Sequence, residues 1–112
     1  MSSADAWQKV TELARERPDW LPVLRAACEE AEQSERFGGR FAGRWVLQRL
    51  ATPGGPPQHR PGLRLLVGYG FLEKAGESSR GGRRAYYRMP EWRNVKHALD
   101  RLESAEEEPP GQ

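Results

Sequence analysis

The stretch from Gly62 to Pro90, GLRLLVGYGFLEKAGESSRGGRRAYYRMP, carries the reading of the fold. Leu63, Leu66 and Val67 stand at the i, i+3, i+4 spacing of one buried helical face. A short helix is therefore expected through about Tyr69, with Pro61 suited to its first turn. Gly70 supplies the left-handed position that ends a helix. Phe71, Leu72 and Glu73 then read as a strand, Arg83 to Met89 as the returning strand, and the polar run between them as the long tip of a β-hairpin. Tyr86 and Tyr87 divide between core and solvent, because side chains alternate along a strand. From Ala75 to Gly82 no apolar side chain exceeds alanine, so the tip has nothing to bury and is expected to be mobile.

Upstream, Trp7, Val10, Leu13 and Ala14 make one apolar stripe on a first helix from about Ala4 to Arg17, which Pro18 ends. Asp19 is read as the N-cap of a second helix, about Trp20 to Gln33, with Pro22 tolerated in its first turn. Trp20, Val23, Leu24, Ala27, Cys28 and Ala31 share one face of it, and the two helices are expected to pack on each other. Phe37, Gly38 and Gly39 break the pattern. A third helix is expected from Arg40 to Ala51, with Phe41, Trp45, Val46 and Leu50 inward and Arg40, Arg44 and Arg49 facing elsewhere. Residues 52–62, TPGGPPQHRPG, are too rich in proline and glycine for helix or strand and read as a loop.

Downstream, a last helix runs from Glu91 to about Glu103 and carries Trp92, Val95, Leu99 and Leu102 at steps of three, four and three. That is the a/d spacing of a helix pair, so the stripe reads either as a homodimer interface or as a face folded back on the first two helices. The acidic tail, residues 104–112, is expected to be disordered. The class is mainly α with a small β-hairpin, an α+β fold. With 112 residues the chain suits a single core. One domain is expected over residues 1–103: a helical N-terminal part at 4–33, the segment 40–89, and the C-terminal helix at 91–103.

Charge is segregated along the chain. Residues 1–35 hold 8 acidic and 4 basic side chains, residues 36–88 hold 2 and 11, and residues 89–112 hold 6 and 3. A formal net charge of +2 thus hides a strongly basic middle between acidic flanks, the electrostatic pattern of a phosphate-binding surface. The preference for Arg over Lys is also what a GC-rich genome produces. Codon bias does not, however, separate acids from bases.

From Arg40 to Met89 the chain resembles a winged helix-turn-helix: helix, turn, short helix, strand, glycine-rich basic tip, strand. The pattern LxxLxxxGxLxxxG, from Leu63 to Gly76, followed by GRRAYYR is similar to the wing region of PadR-like and related bacterial repressors. The likeness covers less than half the chain, which adds a helix at each end. Its turn is longer and richer in proline than the family's, and its wing strand runs into MPEW. The resemblance implies a transcriptional regulator bound to double-stranded DNA, with a recognition helix at about 58–69 and a wing at about 76–88. Gln58, His59, Arg60 and Arg64 would then face base edges, and Arg40, Arg44, Arg80, Arg83 and Arg84 would meet phosphate. The rival reading is a winged-helix adaptor that binds protein within a larger assembly; RNA binding is a third.

Enzymatic chemistry finds no support in the residues. His59 and His97 lie in different elements, and neither has Cys, Asp or Ser at a nucleophile or metal spacing. Cys28 has no partner cysteine and reads as a small buried side chain. The glycines of GGRFAG and SRGGRR do not join a strand to a helix as a phosphate-binding loop does. No cofactor or metal is expected. No run approaches the roughly 18 apolar residues that cross a bilayer, so the expected location is the cytoplasm, with no membrane partner.

Overall fold

The computed structural model of the chain describes residues 2–50, 63–78 and 84–107. Helix α1 (Ser3–Glu16) starts on a capping box. The Ser2 hydroxyl accepts from the Asp5 amide at 3.1 Å and the Asp5 carboxylate accepts from the Ser2 amide at 3.3 Å, which satisfies two of the amides a helix start leaves bare. These bonds hold the Asp5 carboxyl below its ordinary pKa. A 3-10 turn (Pro18–Trp20) leads into α2 (Leu21–Ser34). Asp19 therefore lies inside that turn, and Trp20 holds the N-cap position of α2 without any side-chain cap bond, which corrects the expected Asp19 cap.

A second 3-10 turn (Glu35–Phe37) is followed by β1 (Arg40–Ala42), and only then by α3 (Gly43–Leu50). The expected third helix from Arg40 is thus a strand for its first three residues. Pairing decided this: β1 lies antiparallel to β3, with Arg40 opposite Arg88, Phe41 opposite Tyr87 and Ala42 opposite Tyr86. A partner strand more than forty residues away cannot be seen in local periodicity.

Helix α4 (Arg64–Gly68) is short. Its C-terminus forms two interlocked bonds: Phe71 donates to the Leu66 carbonyl at 3.0 Å and Gly70 to the Val67 carbonyl at 3.0 Å. Gly70 has φ +87, so this is the Schellman end for which glycine is suited, and the buried Leu66 and Phe71 supply its apolar contact. Strand β2 (Glu73–Ser78) begins later than expected and runs into the segment read as the hairpin tip. A register shift between Lys74 and Gly76 lets the strand continue through small residues, with Gly76 at φ +135 opposite Tyr86. Strand β3 (Arg84–Arg88) lies between the other two, giving the order β1-β3-β2.

The last helix, α5 (Trp92–Glu107), is longer than expected, and residues 104–107 belong to it rather than to a disordered tail. It packs against both α1 and α2, whereas those two, expected to pair directly, are joined chiefly through the turn at Pro18–Trp20. Val95 and Leu99 are buried in the core of their own chain, together with Val10, Leu13, Leu24 and Phe41. The a/d stripe is consequently an intramolecular seam at Val95 and Leu99, with Trp92 and Leu102 half-buried against the same core. The chain is thus mainly helical with a small three-stranded antiparallel sheet, an α+β fold. Among the described residues no helix is long and apolar enough to cross a membrane.

Candidate nucleic-acid interface

The two faces of the sheet differ. On the inner face Phe41 and Tyr87 are buried in the core. On the outer face Arg40, Arg88 and Glu73 stand in one row across the three strands, and Ala42, Tyr86 and Gly76 in the next. Ala42 is buried and Tyr86 half-buried. Arg40 lies over that ring, its guanidinium 5.3 Å from the centroid. Trp45, on the first turns of α3, meets Tyr86 edge-to-face at 6.4 Å and 80°. The result is a chain of contacts, Arg40 to Tyr86 to Trp45, flanked by the exposed Arg44 and Arg88.

Trp45 is exposed to 37%, which corrects its expected inward orientation. The i, i+4 relation to Phe41 put it inside, but Phe41 belongs to β1 and the helical phase begins only at Gly43. Val46 then takes the buried position. Packing also brings the starts of α3 and α4 together: Leu63 Cδ1 and the Tyr87 ring close on Gly43. Arg44 and Arg64 each follow one of these contact residues, and both are exposed. On the other side of α4, the Tyr69 hydroxyl donates to Glu16 at 2.6 Å, which pushes the Tyr69 pKa up and ties α4 to α1. Tyr69 also stacks on Phe71 at 6.2 Å.

Several cations of the helical part, and Arg49 of α3, are paired. Arg25 of α2 pairs with Asp100 at 3.2 Å and Glu103 at 2.8 Å of α5, Arg93 with Glu35 at 3.1 Å, and Lys96 with Glu32 at 3.1 Å. Arg49, at the end of α3, turns to Glu29 and Glu30 of α2. By contrast, among the described residues no carboxylate lies within ion-pair distance of Arg40, Arg44, Arg64 or Arg88. Glu73 stands opposite Arg88 in the sheet register without closing an ion pair.

Of the residues expected to contact nucleic acid, Arg40, Arg44 and Arg64 are exposed on described elements, and Arg84 opens β3. Gln58, His59, Arg60, Arg80 and Arg83 lie outside the described residues. The expected recognition helix at 58–69 is, in its described part, the five residues of α4. Sequence reasoning missed Trp45, Tyr86 and Arg88 as site residues. Arg88 and the outward Tyr86 had a signal, the alternation of β3; Trp45 had none without β1. Cys28 is buried as expected, its thiol donating to Met89 Sδ at 3.5 Å, and desolvation pushes its pKa up to about 12. Among the described residues no group of three His, Cys, Asp or Glu side chains is placed to hold a metal ion.

The class that fold and surface define is a small α+β domain with one basic, aromatic-bearing face. No family model, no curated protein and no solved structure matches the chain.

Proposed function

We propose that the chain is a winged-helix protein that binds double-stranded DNA through the face formed by β1, α3, α4 and the β2–β3 hairpin, and that it acts as a transcriptional regulator. The order α3, α4, β2, β3 follows the helix, short helix, strand, strand succession that the winged-helix resemblance implies. The observation that carries the reading is the partition of the arginines. Arg40, Arg44, Arg64 and Arg88 stay exposed and, among the described residues, without a carboxylate partner, whereas Arg25, Arg93 and Lys96 are paired with acids. Keeping like charges together without counter-charge costs stability, and phosphate binding is what such a cost serves. Arg40 and Arg44 then hold backbone phosphate, with Arg80, Arg83 and Arg84 of the wing, while Arg64 at the start of α4 is the described candidate for base contact. Val95 and Leu99 are used within the chain, so a homodimer would need another surface.

The test is a titration of random-sequence duplex over a salt series. The logarithm of the binding constant should fall linearly with the logarithm of salt concentration, with a slope of about −0.9 per neutralised phosphate. Arg44→Ala should make that slope shallower by about one unit. No affinity at low salt would overturn the reading and leave the protein-binding adaptor.

A further inference from the structure

The outer face of the sheet has a feature that a surface for duplex phosphate alone does not require. Trp45 is the large apolar side chain that the described residues leave exposed. It is held edge-to-face by Tyr86, whose ring is in turn covered by Arg40. Phosphate binding needs the arginines; it does not need an indole in water beside them. We propose that Trp45, braced by Tyr86 and surrounded by Arg40, Arg44 and Arg88, stacks on a single unpaired nucleobase, so that the protein prefers DNA in which a single-stranded segment leaves the duplex. This rests on the DNA-binding reading and deepens it.

Three observations favour a base over another occupant. The first is size: one indole exposed to 37% offers the area of a planar ring, far below the roughly 800 Å² that each partner buries in a stable protein interface. The second is charge. A second copy docking here face to face would set Arg40, Arg44 and Arg88 against their own counterparts, whereas the phosphates flanking a base meet them with opposite sign. The third is preorganisation: Trp45 meets the Tyr86 ring edge-to-face at 6.4 Å, and Tyr86 sits on the central strand with Arg40 over its ring, which limits the movement of the indole. Stacking on an aromatic side chain is indifferent to base identity, because every base has a π-face. The preference is therefore for strand state and not for sequence. Gln48, exposed one turn along α3 from Trp45, carries an amide suited to hydrogen bonding with a base edge.

The experiment compares a blunt duplex with the same duplex carrying a short oligothymidine overhang, each titrated against the full chain at one moderate salt concentration. The wild type should bind the overhang duplex about tenfold more tightly, the effect of one stacked base. Trp45→Ala should bring the ratio of the two affinities to about one, and Trp45→Phe, which keeps a smaller π-face, should retain part of it. The overhang should quench tryptophan fluorescence in the wild type more than in Trp45→Phe. Equal, salt-dependent binding of both duplexes by the wild type would overturn this proposal and leave the DNA-binding reading standing. Binding of neither would overturn both. A wild type that sediments as a dimer, with Trp45→Ala and Trp45→Phe monomeric, would assign the ring to a contact between copies and overturn the stacking site.

Discussion

The helical body made by α1, α2 and α5 and the face made by β1, α3, α4, β2 and β3 handle charge in opposite ways. In the body, several cations are drawn into pairs that cross between elements: Arg25 joins α2 to α5, Lys96 joins α5 to α2, and Arg93 reaches Glu35. Arg101 lies over the Trp7 ring at 4.3 Å and links α5 to α1. On the face, Arg40, Arg44, Arg64 and Arg88 are left without such partners among the described residues. Two acidic flanks, distant in sequence, therefore fold together in the body through α1, α2 and α5, while Arg40, Arg44, Arg64 and Arg88 of the basic middle stay exposed. Charges spent on one another hold elements in register. Charges left unspent are available to a ligand. The same type of side chain is thus structural in one region and a candidate contact in the other.

The comparison breaks most visibly at the seam of α5. Leu99 is buried between α5 and the rest of the body, and Leu99→Ala should cost about 2 to 5 kcal/mol. Leu99→Glu adds a buried charge to that loss and should exhaust a total stability of about 5 to 15 kcal/mol. Circular dichroism on heating should then show no cooperative transition. A Leu99→Glu protein that stays folded and changes only its sedimentation would mean that the stripe joins two chains.

A second test probes the junction of body and face, where Cys28 of α2 meets Met89 just beyond β3. Burial pushes the thiol pKa from its ordinary 9.0 up to about 12. Between those values the unfolded chain loses the proton while the folded chain keeps it. Stability is then fully present below about pH 9 and is lost as pH rises, by about 1.4 kcal/mol per unit. Urea titrations at successive alkaline pH values should show this decline in the wild type and a shallower one in Cys28→Ala. Parallel declines would mean that the thiol is hydrated in the fold.

Gly70 sharpens the contrast on the face itself. With φ +87, Gly70→Ala should cost about 1 to 2 kcal/mol in left-handed backbone strain. The added methyl would meet only the flexible end of Lys9, at 2.5 Å, which can move away. A change in melting temperature corresponding to less than about 0.5 kcal/mol would show that the turn relaxes.

The smallest effects are the most direct check on the two arginine groups. Arg25→Ala should lower stability by about 1 kcal/mol or less and leave DNA affinity unchanged. Arg44→Ala should do the reverse, with stability nearly unchanged and affinity reduced at moderate salt. If both variants behaved alike in both measurements, the division between paired and unpaired arginines would have no functional meaning.

Much of this was legible in the residues. The stripes of α1 and α2, the end of α4 at Gly70, the opposite facing of Tyr86 and Tyr87 and the basic middle segment follow from periodicity, from turn chemistry and from counting charges. These are local properties, set by neighbours a few positions away. Strand β1 was not legible, because three residues that could continue a helix became a strand only by pairing with β3. With β1 came the new phase of α3, and with that phase the exposure of Trp45. The extension of β2 through Ala75 and Gly76, the absorption of Val95 and Leu99 into the chain's own core, and the pairing of Arg25 with Asp100 were likewise beyond sequence. Each depends on which distant segment arrives alongside. Sequence alone determined the extent of α1, the end of α4 at Gly70 and which segment is basic. Tertiary structure decided which arginines meet a carboxylate and which aromatic ring is left facing water, because partners remote in the chain are chosen by packing and not by spacing.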